Sequence, residues 1–140
     1  MNEPVFVFGS NLHGRHGKGA ALWAYEHRGA VMGQGFGRQG NAFAIPTKGP
    51  DPRNRKKLVP LPLAQIQYYA NLFLDIARDT PATVYQLTPI GCGHAGYQPE
   101  DIAPMFEGAP ANVLLPPQFE GALRIVRGVA TKPIGSSRKV

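Results

Sequence analysis

The sequence is short of cysteine: Cys92 stands alone among 140 residues. No intrachain disulfide and no zinc site built on several thiolates can form, and a reducing compartment is expected. Long apolar runs are also lacking. No stretch approaches the ~20 residues of a membrane-spanning helix, and Glu3 and Pro4 precede the first apolar run, so a soluble, cytoplasmic protein is expected. Acids are scarce as well. Nine Asp and Glu face 15 Lys and Arg, a formal net charge of +6 with a pI of about 9.8, and no acid follows Glu120. That balance favours an anionic partner: nucleic acid, a phosphorylated metabolite or an acidic protein surface.

What is present fits one folded domain. A chain of this length buries roughly two thirds of its unfolded surface, enough for a core without disulfide staples. Residues 1–128 are expected to form that domain, and 129–140 a basic, flexible tail. With 17 glycines and 14 prolines, the domain should be rich in loops. Arg53, Arg55, Lys56 and Lys57 form one basic cluster; Arg124, Arg127, Lys132, Arg138 and Lys139 form another near the C-terminus. As loop and tail, these read most simply as solvated surface that aids solubility. Nucleic-acid contact is the alternative, although zinc-finger spacing, a base-reading basic helix and an aromatic RNA-stacking strand are all missing.

Val5-Phe6-Val7-Phe8, ending at Gly9, is an unbroken β-favouring run expected to be buried on both faces. Gly17 to His27, with Ala20, Ala21 and Ala24, favours a helix stopped by Arg28-Gly29. Asn41 to Ile45 reads as a strand closed by Pro46, followed by a long connection to Pro62. From Pro62 to Asp79, apolar residues at Leu63, Ile66, Ala70, Phe73, Leu74 and Ala77 repeat at helical spacing, with Pro62 suited to the first turn. Thr83 to Thr88 reads as a strand, Glu100 to Phe106 as a short helix and Val113 to Leu115 as a strand. Strands separated by helices imply an α/β domain with a mixed or parallel sheet covered on both faces.

In such a sheet, ligands bind at the carboxyl ends of the strands. Two Gly-rich loops are expected there: Gly9 to Gly19, and Gly91 to Gly96. Glycine lets backbone N–H groups converge on an anion, and a helix N-terminus adds partial positive charge, so together the loops could hold two linked phosphates. Neither of two motif matches survives inspection. Gly17-Lys18 has Leu12 where a phosphate-binding P-loop needs glycine, and Gly19 where it needs Ser or Thr. Gly35-Phe36-Gly37-Arg38-Gln39-Gly40 spells a dinucleotide fingerprint but leads into a strand rather than a helix, so hairpin or loop is the better reading.

Phe6 to Asn11 running into Gly17-Lys18-Gly19-Ala20-Ala21, then Ile45-Pro46-Thr47-Lys48, then Thr88 to Gly93, together resemble the macro domain over about residues 4 to 115. The likeness is strongest to its terminal ADP-ribose protein glycohydrolase branch and to a family of small phage-encoded non-structural proteins. It implies a three-layer fold, a mixed sheet with helices on both faces. It also implies binding of ADP-ribose or a related NAD-derived nucleotide by Asn11, Gly17, Lys18, Gly19 and Ala20 in the first loop. Gly91, Cys92, Gly93, His94, Ala95, Gly96 and Tyr97 would complete the site. A phage protein of this kind would act in the bacterial cytoplasm against ADP-ribose-based or NAD-derived host signalling.

The glycohydrolase branch implies a second activity: removal of ADP-ribose from protein or nucleic acid, with Lys48 attacking the anomeric carbon of the distal ribose. Ala95 stands where that branch has an assisting aspartate. Proton transfer would then fall to His94 or His16, since histidine titrates near neutrality. An ordinary lysine, with a pKa of about 10.4, needs desolvation or a nearby cation to act as a nucleophile. Simpler roles compete throughout. Lys48 could be a solvated loop cation, Cys92 a small spacer and His27 a helix-end cation, while Tyr97, Phe36 and Trp23 could each stack on adenine, with core packing the simpler role for Trp23. His13 and His16 have no evident third partner, so neither a metal nor a cofactor is expected. The third function class is a basic nucleic-acid-binding protein without a nucleotide pocket.

Overall fold

The computed structural model describes residues 3–126. Six strands form one mixed sheet: β1 (Val5–Asn11), β2 (Gly37–Gln39), β3 (Ala42–Asp51), β4 (Asn54–Pro60), β5 (Tyr85–Leu87) and β6 (Val113–Leu114). The order is β2-β3-β1-β5-β6, with β4 paired to the far half of β3. The pairs β1–β3, β1–β5 and β5–β6 are parallel, whereas β2 and β4 run antiparallel to β3. Among the described residues, four helices accompany the sheet: α1 (Gly19–His27), α2 (Leu63–Asp79), α3 (Pro99–Ile102) and α4 (Pro117–Val126). Among the described residues, no helix is long and apolar enough to cross a membrane.

The alternating side chains of β1 serve two cores. Val5 and Val7 point into the larger one, with Phe43, Ile45, Phe73, Tyr85 and Phe106, under α2, α3 and α4. Phe73 meets the rings of Phe43 and Tyr85 edge-on at 5.0 and 5.3 Å, contacts that add about 0.5–1.5 kcal/mol each to area burial. Phe8 enters the smaller core with Ala21, Ala24, Ala42 and Ala44, where small side chains let α1 lie close to the sheet. Burial of β1 on both faces therefore agrees with its sequence.

Several boundaries differ from the sequence reading. β1 continues beyond Gly9 because β3 supplies backbone partners as far as Asn11. Pro46 does not close β3; the strand passes through it to Asp51, with a register irregularity just beyond, where Ser10 faces Pro46 and Asn11 faces Lys48. The expected long connection to Pro62 is instead a hairpin whose second arm is β4. The helix expected from Glu100 to Phe106 is split into α3 and a 3₁₀ turn, Ala103–Phe106, with Pro104 in the turn. α4 was not anticipated at all. The fingerprint-like glycine segment is a hairpin arm, β2. The tail expected at 129–140, and Arg127, lie outside the described residues.

The sheet order dictates where a crevice opens. After β1, α1 crosses one face on the way to β2 and β3, and after β4, α2 crosses the other face to β5, on the opposite side of β1. The connections therefore diverge at the carboxyl end of β1, the topological position at which open α/β sheets bind ligands.

Candidate functional site

A cleft of about 990 Å³ opens at that point. β1 contributes its last residues, α1 its first turn, β3 Thr47 and Lys48, β4 Lys56 and Leu58, and the segment after β5 contributes Thr88 to Pro99. Of the residues expected in the site, Asn11, Gly17, Lys18, Ala20, Lys48, Gly91, Cys92, Gly93, His94, Ala95, Gly96 and Tyr97 all line the cleft. Gly19 does not, but it is where the two loops meet: a Cβ built there would stand 3.2 Å from His94 Nε2, and its backbone holds a φ of +54°.

The first loop is braced from within. Asn11 Nδ2 donates to the Arg15 carbonyl at 2.9 Å, and Asn11 Oδ1 accepts from the Arg15 N–H at 3.0 Å. The amide that the family likeness assigns to ligand binding is thus occupied in shaping the loop. Lys18 caps α1 in extended conformation with no side-chain cap, and the first turn contains no acid. The helix consequently presents uncapped N–H groups and partial positive charge beside the cleft.

The second loop closes on itself. Cys92 N–H donates to the Pro89 carbonyl at 3.2 Å, Gly96 N–H to Gly93 at 3.0 Å, and Tyr97 N–H to Gly91 at 2.8 Å. Tyr97 Oη donates to the Leu61 carbonyl at 2.6 Å, pinning the end of the loop to the lead-in of α2. The N–H groups of Gly93, His94 and Ala95 have no acceptor among the described residues.

Among the described residues, four cations, Arg15, Lys18, Lys48 and Lys56, line the cleft together with His94, and no Asp or Glu does. None of these cations makes an ion pair with a described carboxylate. Arg15 and Lys56 were not among the expected site residues. Lys56 was visible only as part of a basic run read as loop, whereas it stands on β4; Lys48, also read as loop, is on β3.

Other expectations are corrected by burial. His16 is fully buried and absent from the lining, with Nε2 3.2 Å from Gln39 Oε1 and its ring edge-on to Phe8. Gln39 Oε1 also accepts from Val31 N–H, so His16 Nε2 is a donor to it. Closed off from the cleft, it cannot move a proton there. Trp23 is 39% exposed on α1, against Phe6 and His27 and under the Arg28 guanidinium, rather than in the core. Phe36 packs edge-on against Phe43, leaving Tyr97 as the one lining aromatic of the three considered for stacking. His27 Nδ1 lies 3.1 Å from the Trp23 carbonyl, the expected helix-end contact. Burial, then Asp101 and Glu100, push the Cys92 thiol up, opposite to what a nucleophilic thiolate requires. No group of three metal-ligating side chains occurs among the described residues.

Set against known proteins, the chain matches no family model, no curated protein and no solved structure.

Proposed function

We propose that this protein binds ADP-ribose or a closely related NAD-derived nucleotide in the cleft and holds it without chemical change. The observation that carries this reading is a lining that, among the described residues, has Arg15, Lys18, Lys48 and Lys56 and no carboxylate, beside the uncapped first turn of α1. A diphosphate spreads negative charge over several non-bridging oxygens. Cations, a helix N-terminus and free loop N–H groups answer that distribution, and carboxylates would repel it. The cleft volume falls at the upper end of the roughly 300–1,000 Å³ usual for small-molecule sites, room for both nucleoside ends as well as the diphosphate. The choice of ADP-ribose, and membership of the macro domain fold, rest on the motif resemblance.

Titration calorimetry with ADP-ribose, AMP and NAD, followed by chromatography of the recovered ADP-ribose, tests the proposal. Saturable binding of ADP-ribose in preference to AMP, with the ligand recovered intact, is the expected result. Failure of all three to bind would overturn it.

A hydrolase is the second reading, favoured by Lys48 and His94 lining one cleft. A deprotonated Lys48 Nζ would attack the anomeric carbon as the glycosidic C–O bond breaks. His94 would give the departing oxygen its proton, and water would later release the sugar from the lysine. Release of ADP-ribose from a modified carrier by the native protein, lost in both Lys48→Ala and His94→Ala, would establish it.

A further inference from the structure

β4 is an edge strand, hydrogen-bonded to β3 and to no other strand among the described residues. Its sequence opens Asn54-Arg55-Lys56-Lys57, and all four residues are exposed, as is Arg53 in the turn before it. Strand alternation sets Lys56 and Leu58 toward the cleft, which both line, and Arg55 and Lys57 on the other face. With no described strand beyond the edge, the long stems of Arg and Lys from either face have room to reach the same side. The only acid in the hairpin, Asp51, accepts from the Arg53 N–H at 2.9 Å. Described carboxylates make no ion pair with Arg53, Arg55, Lys56 or Lys57. The row of free cations therefore starts inside the cleft, at Lys56, and continues outside it.

Basic residues on an edge strand also discourage pairing between sheets. That role alone gives no reason for Lys56 to enter a cleft that has no carboxylate among the described residues, or for the hairpin to carry five cations to one acid. A free mononucleotide or dinucleotide would leave Arg53, Arg55 and Lys57 unused. We propose that the cleft also accepts a nucleotide of a single-stranded nucleic acid, whose neighbouring phosphates lie along β4 on Arg55 and Lys57. Same-face residues on a strand are about 7 Å apart, which suits successive phosphates of an extended strand. An acidic peptide offers similar charge, but the exposed start of β4 has no apolar side chain to receive peptide side chains.

This inference rests on the nucleotide reading of the cleft, and the test separates the two. A fluorescently labelled oligothymidylate and an oligoglutamate of equal charge are titrated by anisotropy into native protein and into Arg55→Ala/Lys57→Ala, alongside calorimetry with ADP-ribose. Neither substituted residue lines the cleft. The double variant should bind the oligonucleotide about tenfold more weakly, with a salt slope smaller by about 1.4, two phosphate contacts at roughly 0.7 each. Its ADP-ribose affinity should be unchanged, and the oligonucleotide should compete with ADP-ribose on the native protein. Normal ADP-ribose binding with no effect of the double substitution on oligonucleotide affinity overturns this inference alone. Equal, hairpin-dependent binding of oligoglutamate overturns the choice of nucleic acid. Hairpin-dependent oligonucleotide binding by a protein that ignores ADP-ribose overturns the nucleotide cleft and the joint site with it.

Discussion

Gly19 and Gly93 are both glycines of the candidate anion loops, yet their surroundings differ. A Cβ at Gly19 meets His94 at 3.2 Å on a backbone with φ of +54°, whereas a Cβ at Gly93 meets nothing within 4 Å. Gly19→Val should therefore lose both stability, by roughly 1–3 kcal/mol, and ligand binding. Gly93→Val should melt like the native protein and lose affinity only by filling the site. Thermal melts paired with ADP-ribose titration would separate the two effects, and a destabilised Gly93→Val would contradict the loop geometry. At this scale the glycine loops were readable in the sequence, because glycine has few other uses at such density. The fates of Asn11 and His16 were not. One amide is consumed by its own loop and one imidazole is buried against Phe8 and Gln39, and both outcomes depend on where Arg15 and Gln39 lie in space.

Elements were legible where burial is one-sided and regular. α2 buries Ile66, Ala70, Phe73, Leu74 and Ala77 along one stripe, as its spacing predicted. α4 carried a shorter signal of the same kind: Phe119, Ala122 and Leu123 are buried at helical spacing. Pro117 and Gly121 concealed it, although proline in a first turn forfeits no hydrogen bond. β4 carried no signal, since Asn54 to Lys57 are exposed and charged or polar, and pairing with β3 alone makes them a strand. The junction of α2 with β5 also depends on one residue of a later segment. Asn112 Nδ2 donates to the carbonyls of Ala77, Thr80 and Thr83 at 2.9, 3.1 and 2.9 Å. In Asn112→Asp a carboxylate would face three carbonyl oxygens with no hydrogen to offer. A loss of roughly 2–4 kcal/mol is expected, read as a lower denaturant midpoint at unchanged slope.

Across the whole molecule, a ligand in the cleft bridges α1, β1, β3, β4 and the segment after β5, which unfolding would separate. Ligand that binds only the folded chain at a hundred times its Kd adds about 2.7 kcal/mol, or a rise in Tm of roughly 10 °C for a domain of this size. Scanning fluorimetry with ADP-ribose should show that rise at low salt and a smaller one at high salt, because the lining is cationic. A salt-independent shift would argue that the cations take no part.

The sequence by itself determined the α/β class, the doubly buried β1, the amphipathic α2 and the presence of two glycine-rich turns, because each follows from local periodicity or local backbone freedom. Only the tertiary structure decided the strand order, and with it the crevice at the end of β1. It also decided that Arg15 and Lys56 would join Lys18 and Lys48 around a lining whose described residues include no carboxylate. Such convergence is a property of pairing between segments distant in the chain, and no local pattern encodes it.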